Sequence, residues 1–282
     1  MRTIRVGHTP DMDDAFMFYA IAQRRIAMDG FRFEHVIEEI QMLNRRALNR
    51  AALEVTAISA ASYPALAKTY WILSVGSSVG HNYGPVMIAK RPMSLQELTG
   101  QRIAVPGRQT TAGLLLRLAL PGCRMIEMPF DQIPKAVQEG RVDAGVVIHE
   151  WQLIYRDAGL LPVLDFGRWW ERETNLPLPL GLNAVKRSLG RRAASRIAAI
   201  LQGSLRYALA HQDEALAYAM RYARGTDAAR SRQFIGMYVN EDALHLSPPC
   251  REALRVLFGR AKRAGLIPRV PRLSIIEPLK GS

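Results

Sequence analysis

Three stretches of this 282-residue chain carry side chains that could do chemistry. The first is His149-Glu150, which closes an unbroken small-and-apolar run at residues 144–148. A neutral imidazole, with an ordinary pKa of about 6.5, can take a proton near neutral pH; it can equally serve as a structural hydrogen-bonding group. Glu150 would orient that ring or cap a following helix. The second stretch is Thr9-Pro10-Asp11-Met12-Asp13-Asp14. Carboxylates at a helix start satisfy free N–H groups and the helix dipole, so capping is the default reading of these acids. Three acids in four positions repel one another, and capping accounts for two of them. Metal binding is the weaker reading, because no matching acidic cluster appears elsewhere. The third is Gly107-Arg108-Gln109-Thr110-Thr111-Ala112-Gly113, a turn and hydroxyl-rich helix start of the kind that binds anions. Arg108 would add charge there, while Thr110 reads equally as a plain cap. The spacing is not that of a P-loop, so a carboxylate suits it better than a polyphosphate.

Each stretch needs an element to hold it. Gly140 stops a helical run at 131–139, and a run apolar on every residue suits a strand buried on both faces of a parallel sheet. His149 then stands just past the carboxyl end of that strand, where open α/β sheets bind ligands. Further strands are predicted at 4–7, 31–37, 55–59, 72–75 and 86–89, with helices at 15–22 and 40–48. After Arg91-Pro92 the pattern restarts. A capping box, Ser94 to Glu97, opens a helix that Gly100 ends. Strands at 102–105, 125–128, 161–165 and 178–184 follow, with a helix at 110–120. The last hundred residues read as helices at 195–210, 214–224, 228–239 and 248–264. Ser247 caps the last of them and Gly265 ends it. The expectation is an α/β chain with parallel sheets in two lobes. Residues 1–90 and 185–282 form the first, with the helical tail packed back on it, and residues 91–184 form the second. The three chemical stretches meet in the cleft between.

Composition narrows the class. Hydrophobic residues make up 49% and charged residues 22%, which is globular. No apolar run reaches the roughly 20 residues of a membrane span. The N-terminus passes straight into a strand pattern, leaving no room for a signal peptide, so the expected location is cytoplasmic. Net charge is +13, of which 18 Lys/Arg against 7 Asp/Glu lie in residues 185–282. Those arginines are spread through helical patterns and are not interleaved with aromatics, so no nucleic-acid partner is expected. Cys123 and Cys250 are too few for a disulfide framework or a thiolate metal site, and His8, His35 and His81 have no metal-ligand spacing. No metal is expected, and the oligomeric state is not encoded.

Several motifs, in order, resemble the 1,4-dihydroxy-6-naphthoate synthase family of the futalosine route to menaquinone. They are Gly7-His8-Thr9-Pro10-Asp11-Met12-Asp13-Asp14-Ala15-Phe16-Met17-Phe18, Ala57-Ile58-Ser59, Gly84-Pro85, Ala104-Val105-Pro106-Gly107 with Thr110-Thr111, and Asp143-Ala144-Gly145 with Ile148-His149-Glu150. Trp169-Trp170 and the segment Leu176-Pro177-Leu178-Pro179-Leu180-Gly181 with Asn183 fit as well. The resemblance covers residues 1 to about 190. It implies a type II periplasmic-binding-protein-like fold and cofactor-free cleavage of cyclic dehypoxanthinyl futalosine, an aromatic carboxylate, to 1,4-dihydroxy-6-naphthoate. It further implies His149 as the base, the hydroxyls of Ser59, Thr110 and Thr111 at the substrate, and Asp14 and Gly84 beside them. Better-known members carry Ser-Pro-x-Pro-Asn-Asp in the first loop, so this chain is more acidic there. Chorismate dehydratase on the same fold, and a non-catalytic cytoplasmic binding protein, are the rival readings.

Overall fold

A computed structural model describes residues 1–279. Its strands, in chain order, are β1 (Arg2–His8), β2 (Phe31–Ile37), β3 (Val55–Ser59), β4 (Tyr70–Leu73), β5 (Ser78–Gly80), β6 (Val86–Ala89), β7 (Arg102–Val105), β8 (Arg124–Glu127), β9 (Ala144–Val147), β10 (Leu161–Asp165), β11 (Leu178–Lys186) and β12 (Ile275–Ile276). They form two sheets. One has seven strands in the order β12-β4-β11-β3-β1-β2, with β5 also paired to β11; the other has five, in the order β10-β6-β9-β7-β8.

Neither sheet is purely parallel, which corrects the sequence expectation. β1 runs parallel to β2 and β3, and β7 runs parallel to β8 and β9. β11 is antiparallel to β3, β4 and β5, and β6 is antiparallel to β9 and β10. These are the two strands on which the chain arrives from the other sheet, so each enters against the direction set by the strand–helix–strand units. The tail is not wholly helical either: Ile275 and Ile276 pair in parallel with Ile72 and Leu73 of β4. The Ser94–Glu97 capping box forms, with the Ser94 amide donating to Glu97 Oε2 at 2.7 Å, but no helix follows. Gly100, at φ +76°, reverses the chain before a second turn can form.

Helix Met12–Ala22 is buried on nearly every side, from Met12 to Ile21. It lies against helices Arg191–Ala210 and Gln212–Ala219, within a core that includes Ile4, Val6, Leu73 and Val185 of the larger sheet. The fully buried Ser204 donates to the Met17 carbonyl at 2.7 Å and locks its register. A second core joins Ile58, Ile72 and Leu182 to Leu114, Leu115 and Trp170, and to Leu254, Leu257 and Phe258 of helix Pro248–Arg263. That helix has the expected Ser247 cap, which accepts from the Cys250 amide. A third core packs helix Ile133–Gln138 under the smaller sheet. Among the described residues, no helix is long and apolar enough to cross a membrane.

Gly145 sits in β9 where a Cβ would lie 2.4 Å from Ile133 Cγ2 and 3.1 Å from Val137 Cγ2. Gly145→Ala is therefore expected to push helix Ile133–Gln138 off the sheet and cost about 1–3 kcal/mol of stability. Chemical denaturation measures this, and an unchanged midpoint would contradict the packing.

Candidate active site

The apolar strand β9 delivers His149 as expected, but the geometry at its end is more specific. His149 adopts φ +54°, a left-handed conformation that costs a non-glycine residue about 1–3 kcal/mol and persists only where surroundings fix it. The surroundings here are visible. Nδ1 lies 2.9 Å from Asp11 Oδ2, so the loop after β1 meets the loop after β9 in one ion pair between the two sheets. The ring packs edge-on against Phe130, with centroids 4.8 Å apart, and the Arg224 guanidinium sits 4.9 Å from the Phe130 centroid. Nε2 is buried without a hydrogen-bond partner.

Asp11 is the N-cap of helix Met12–Ala22, accepting from the Asp14 amide at 3.3 Å through Oδ1. Its Oδ2 also accepts from Thr9 Oγ1 at 2.7 Å. The same hydroxyl is 2.6 Å from Asp14 Oδ2, which takes the Thr9 amide at 2.7 Å as well. One hydroxyl hydrogen cannot serve two carboxylates, so a second proton is required in the cluster. It resides on the acids. Burial and the charge on Asp11 push Asp14 up to about 7. Burial, with Asp11 and Asp14 alongside, raises Asp13 well above the usual carboxylate range. Asp11 goes the other way: burial opposes its charge, but the His149 imidazolium and its hydrogen bond hold it below that range. For His149, burial favours the neutral ring and Asp11 outweighs it, holding the imidazole up to about 9. The neutral resting histidine expected from an unperturbed pKa is thus corrected: at neutral pH the pair is imidazolium and carboxylate.

These groups line a cavity of about 110 Å³. Thr9, Asp13, Asp14, Ser59, Thr110, Thr111, His149, Gln152, Asn183 and Tyr238 supply its polar wall, and Ile40, Ile58, Ile148, Leu180, Leu182 and Phe234 its apolar wall. Ser59, at the end of β3, accepts from Asn44 Nδ2 at 2.9 Å and donates its amide to Asn44 Oδ1 at 2.8 Å. Thr110 caps helix Thr111–Ala119, accepting from Gly113 N at 3.0 Å and donating to Gly107 O at 2.7 Å. Thr111 donates to Leu180 O at 2.7 Å and accepts from Ala61 N at 3.3 Å. Both threonine hydroxyls are therefore engaged by protein. What the helix start offers a ligand is its first turn, Thr111 and Ala112, whose amides have no acceptor within the helix.

Two of the expected residues lie away from the cavity wall. Gly84 is outside the cavity wall; a Cβ there would meet Leu178 Cδ2 at 2.9 Å and the Gly167 amide nitrogen at 3.2 Å, so it is glycine for close packing, and its neighbour Pro85 reaches the cavity instead. Arg108 is exposed and donates to the Met125 carbonyl, leaving the wall with no Lys or Arg among the described residues. The metal reading of the acids changes too. Asp11, Asp13 and His149 offer ligand atoms within 4.8 Å of one another, but a cation would displace the Asp11–His149 and Thr9–Asp11 hydrogen bonds to bind there. Gln152, Tyr238 and Asn44 had no signal in the sequence: Tyr238 donates to Gln152 at 2.8 Å from a helix read only as packing. His8 stays neutral, burial and its neighbour His35 pushing it down to about 4, and it stacks on Phe18 away from the cavity.

Comparison with known proteins accounts for this arrangement. A 1,4-dihydroxy-6-naphtoate synthase of Thermus thermophilus is 37% identical over 272 residues, covering 96% of this chain and 98% of its own. A protein of the same name from Streptomyces coelicolor is 35% identical, covering 94% and 95%. The crystal structure of protein AF1704 from Archaeoglobus fulgidus superposes with a TM-score of 0.90 at 49% identity, covering 94% of this chain and 98% of that one. The periplasmic aliphatic sulphonate binding protein of Escherichia coli shares only the fold, at TM-score 0.69 and 12% identity, covering 100% and 95%. The two-sheet architecture is thus periplasmic-binding-protein-like. The model of the menaquinone biosynthesis family matches residues 4–263, which takes in the loops after β1, β3, β7 and β9 that build the cavity, and to that family the chain belongs.

Proposed function

We propose that the chain is a carbon–carbon lyase that cleaves cyclic dehypoxanthinyl futalosine to 1,4-dihydroxy-6-naphthoate, with His149 as general base. The observation that carries this is the buried, unpartnered Nε2 of a histidine in the cavity wall, held from behind through Nδ1. Two relatives that share nearly the whole chain bear the synthase name. We further infer two lobes divided by sheet pairing, one built on the seven-stranded sheet and one on the five-stranded sheet. On that division the crossings fall at residues 81–85, between β5 and β6, and 166–177, between β10 and β11, both earlier than the boundaries at 91 and 184 that the sequence pattern placed. A biosynthetic enzyme of this kind acts in the cytoplasm.

The substrate carboxylate has no Lys or Arg to meet in the wall. The Thr111 and Ala112 amides, at the positive end of a nine-residue helix, are the groups that attract it. Ser59, whose oxygen accepts from Asn44, keeps its own hydrogen for a ligand oxygen. For the cleavage, neutral His149 Nε2 takes the proton of a sugar hydroxyl. The O–H electron pair becomes the carbonyl of the departing sugar fragment, the adjacent carbon–carbon bond breaks, and its electrons pass into the conjugated ring, whose enolate oxygen takes the proton back from the His149 imidazolium as the ring rearomatises to the naphthoate. Apolar wall residues such as Ile58 and Leu182 keep water from the intermediate.

This reading differs from chorismate dehydratase in its product, and from a binding protein in having any. His149→Asn is expected to keep the fold and lower kcat by about 10²–10⁴-fold, the usual worth of a general base. Full turnover by a folded His149→Asn protein would end the assignment. The pH dependence has a fixed sign. The active ring is the neutral one and Asp11 holds its pKa up to about 9, so kcat/KM of the free enzyme should climb from neutral pH and level off only above about 9. A profile already flat from pH 7 upward would contradict it. Removing the Ser59 hydroxyl by Ser59→Ala should weaken product binding by about 1 kcal/mol in calorimetry; unchanged affinity would take Ser59 out of the site.

A further inference from the structure

We infer that Asp11 is the positioning residue of His149, fixing its ring through Nδ1 so that Nε2 alone faces the substrate, and that the working pair is assembled only where the two sheets meet. This rests on the reading of His149 as the base and adds the residue that makes it one.

The geometry is over-determined on both sides. Asp11 Oδ1 is fixed by the Asp14 amide at the helix start, and Oδ2 by Thr9 Oγ1, so the carboxylate cannot rotate away. The helix behind it is buried almost all round. His149 is held by its left-handed backbone, by Phe130 against the ring, and by Asp11 at Nδ1. With Nδ1 donating to a carboxylate, the neutral ring carries its hydrogen there and presents the Nε2 lone pair, the tautomer a base acting through Nε2 requires. Asp11 follows a strand of the seven-stranded sheet and His149 a strand of the five-stranded sheet, so moving the sheets apart dissolves the pair. The other charged or titratable groups around the ring are Asp13 and Asp14 on the Asp11 helix, Glu150 next in the chain, Glu39, and Arg224, which is bound to Glu39 at 3.0 Å. Asp11 is the one of these in hydrogen-bond contact with the ring.

The test compares Asp11→Asn, Asp11→Ser and His149→Asn with the unmodified chain. Asn and Ser both retain a helix cap at that position, and neither carries charge. Each is assayed for kcat, KM and the pH profile, and ¹⁵N NMR of the histidine rings is recorded in parallel. In the unmodified chain the His149 signal should show a hydrogen-bonded Nδ1–H. In both Asp11 variants that signal should be lost, the acidic limb of kcat/KM should move down by more than one pH unit, and kcat at its optimum should fall about 10²-fold or more with KM little changed. An unmodified chain without a hydrogen-bonded Nδ1–H overturns the inference whatever the variants do. An inactive His149→Asn alongside Asp11 variants with unmoved limb and unmoved ring signals overturns the role of Asp11 and leaves the base standing. An active His149→Asn removes the base itself. If both Asp11 variants fail to fold, the ring signals of the unmodified chain decide.

Discussion

Three carboxyl groups buried within four residues are the constraint on which this structure turns. An ionised carboxylate taken out of water costs several kcal/mol unless a counter-charge and hydrogen bonds replace its hydration. The molecule meets that demand by leaving little net charge in the cluster. Asp13 is pushed well above the usual carboxylate range, Asp14 is raised to about 7, and Asp11 is held below that range against His149. His149 is the cation in contact with the cluster, and it comes from the other sheet. The acidic loop can thus be buried only where the end of β9 reaches it, which ties the direction of helix Met12–Ala22 to the backbone twist at His149.

The contacts around the cleft rim point the same way when weighed. Arg45 pairs with Glu127 and Arg230 with Asp157, but the arginine side chains are 40–47% exposed. Exposed pairs of that kind contribute about 0–1 kcal/mol each and weaken in salt. The buried Asp11–His149 pair, between loops that follow a strand of each sheet, therefore outweighs these exposed pairs. Tyr238 bonded to Gln152, and Ser62 donating to the Gln109 carbonyl at 2.9 Å, add neutral hydrogen bonds that salt does not screen. Burial has a chemical consequence too: the Asp11 charge that His149 offsets also holds the imidazole up to about 9.

Much of the frame was legible in the sequence because it is local. The apolar run before His149, the Thr110 cap and the stripe of Leu254, Leu257, Phe258 and Ala261 each depend on neighbours within a few residues, and all appear. What was not legible depends on which elements meet. Asp11 and His149 lie in loops that follow strands of different sheets, and no periodicity encodes their contact; the resulting rise in the histidine pKa was invisible for the same reason. Arg108 was readable as a charge but not as a direction, and it points outward. Gly84 sits beside the site in sequence and beside Gly167 in space. The two-residue β12 was too short for any alternation to show, and the Ser94–Glu97 box formed its hydrogen bonds without the helix they usually announce.

The central claim is that this cavity breaks a carbon–carbon bond rather than only holding a ligand. Incubating the purified chain with cyclic dehypoxanthinyl futalosine at pH 9 and following it by mass spectrometry tests that most directly. The account predicts catalytic conversion, many turnovers per chain, to 1,4-dihydroxy-6-naphthoate with no added metal or cofactor. Recovery of the substrate unchanged, bound or free, would contradict it.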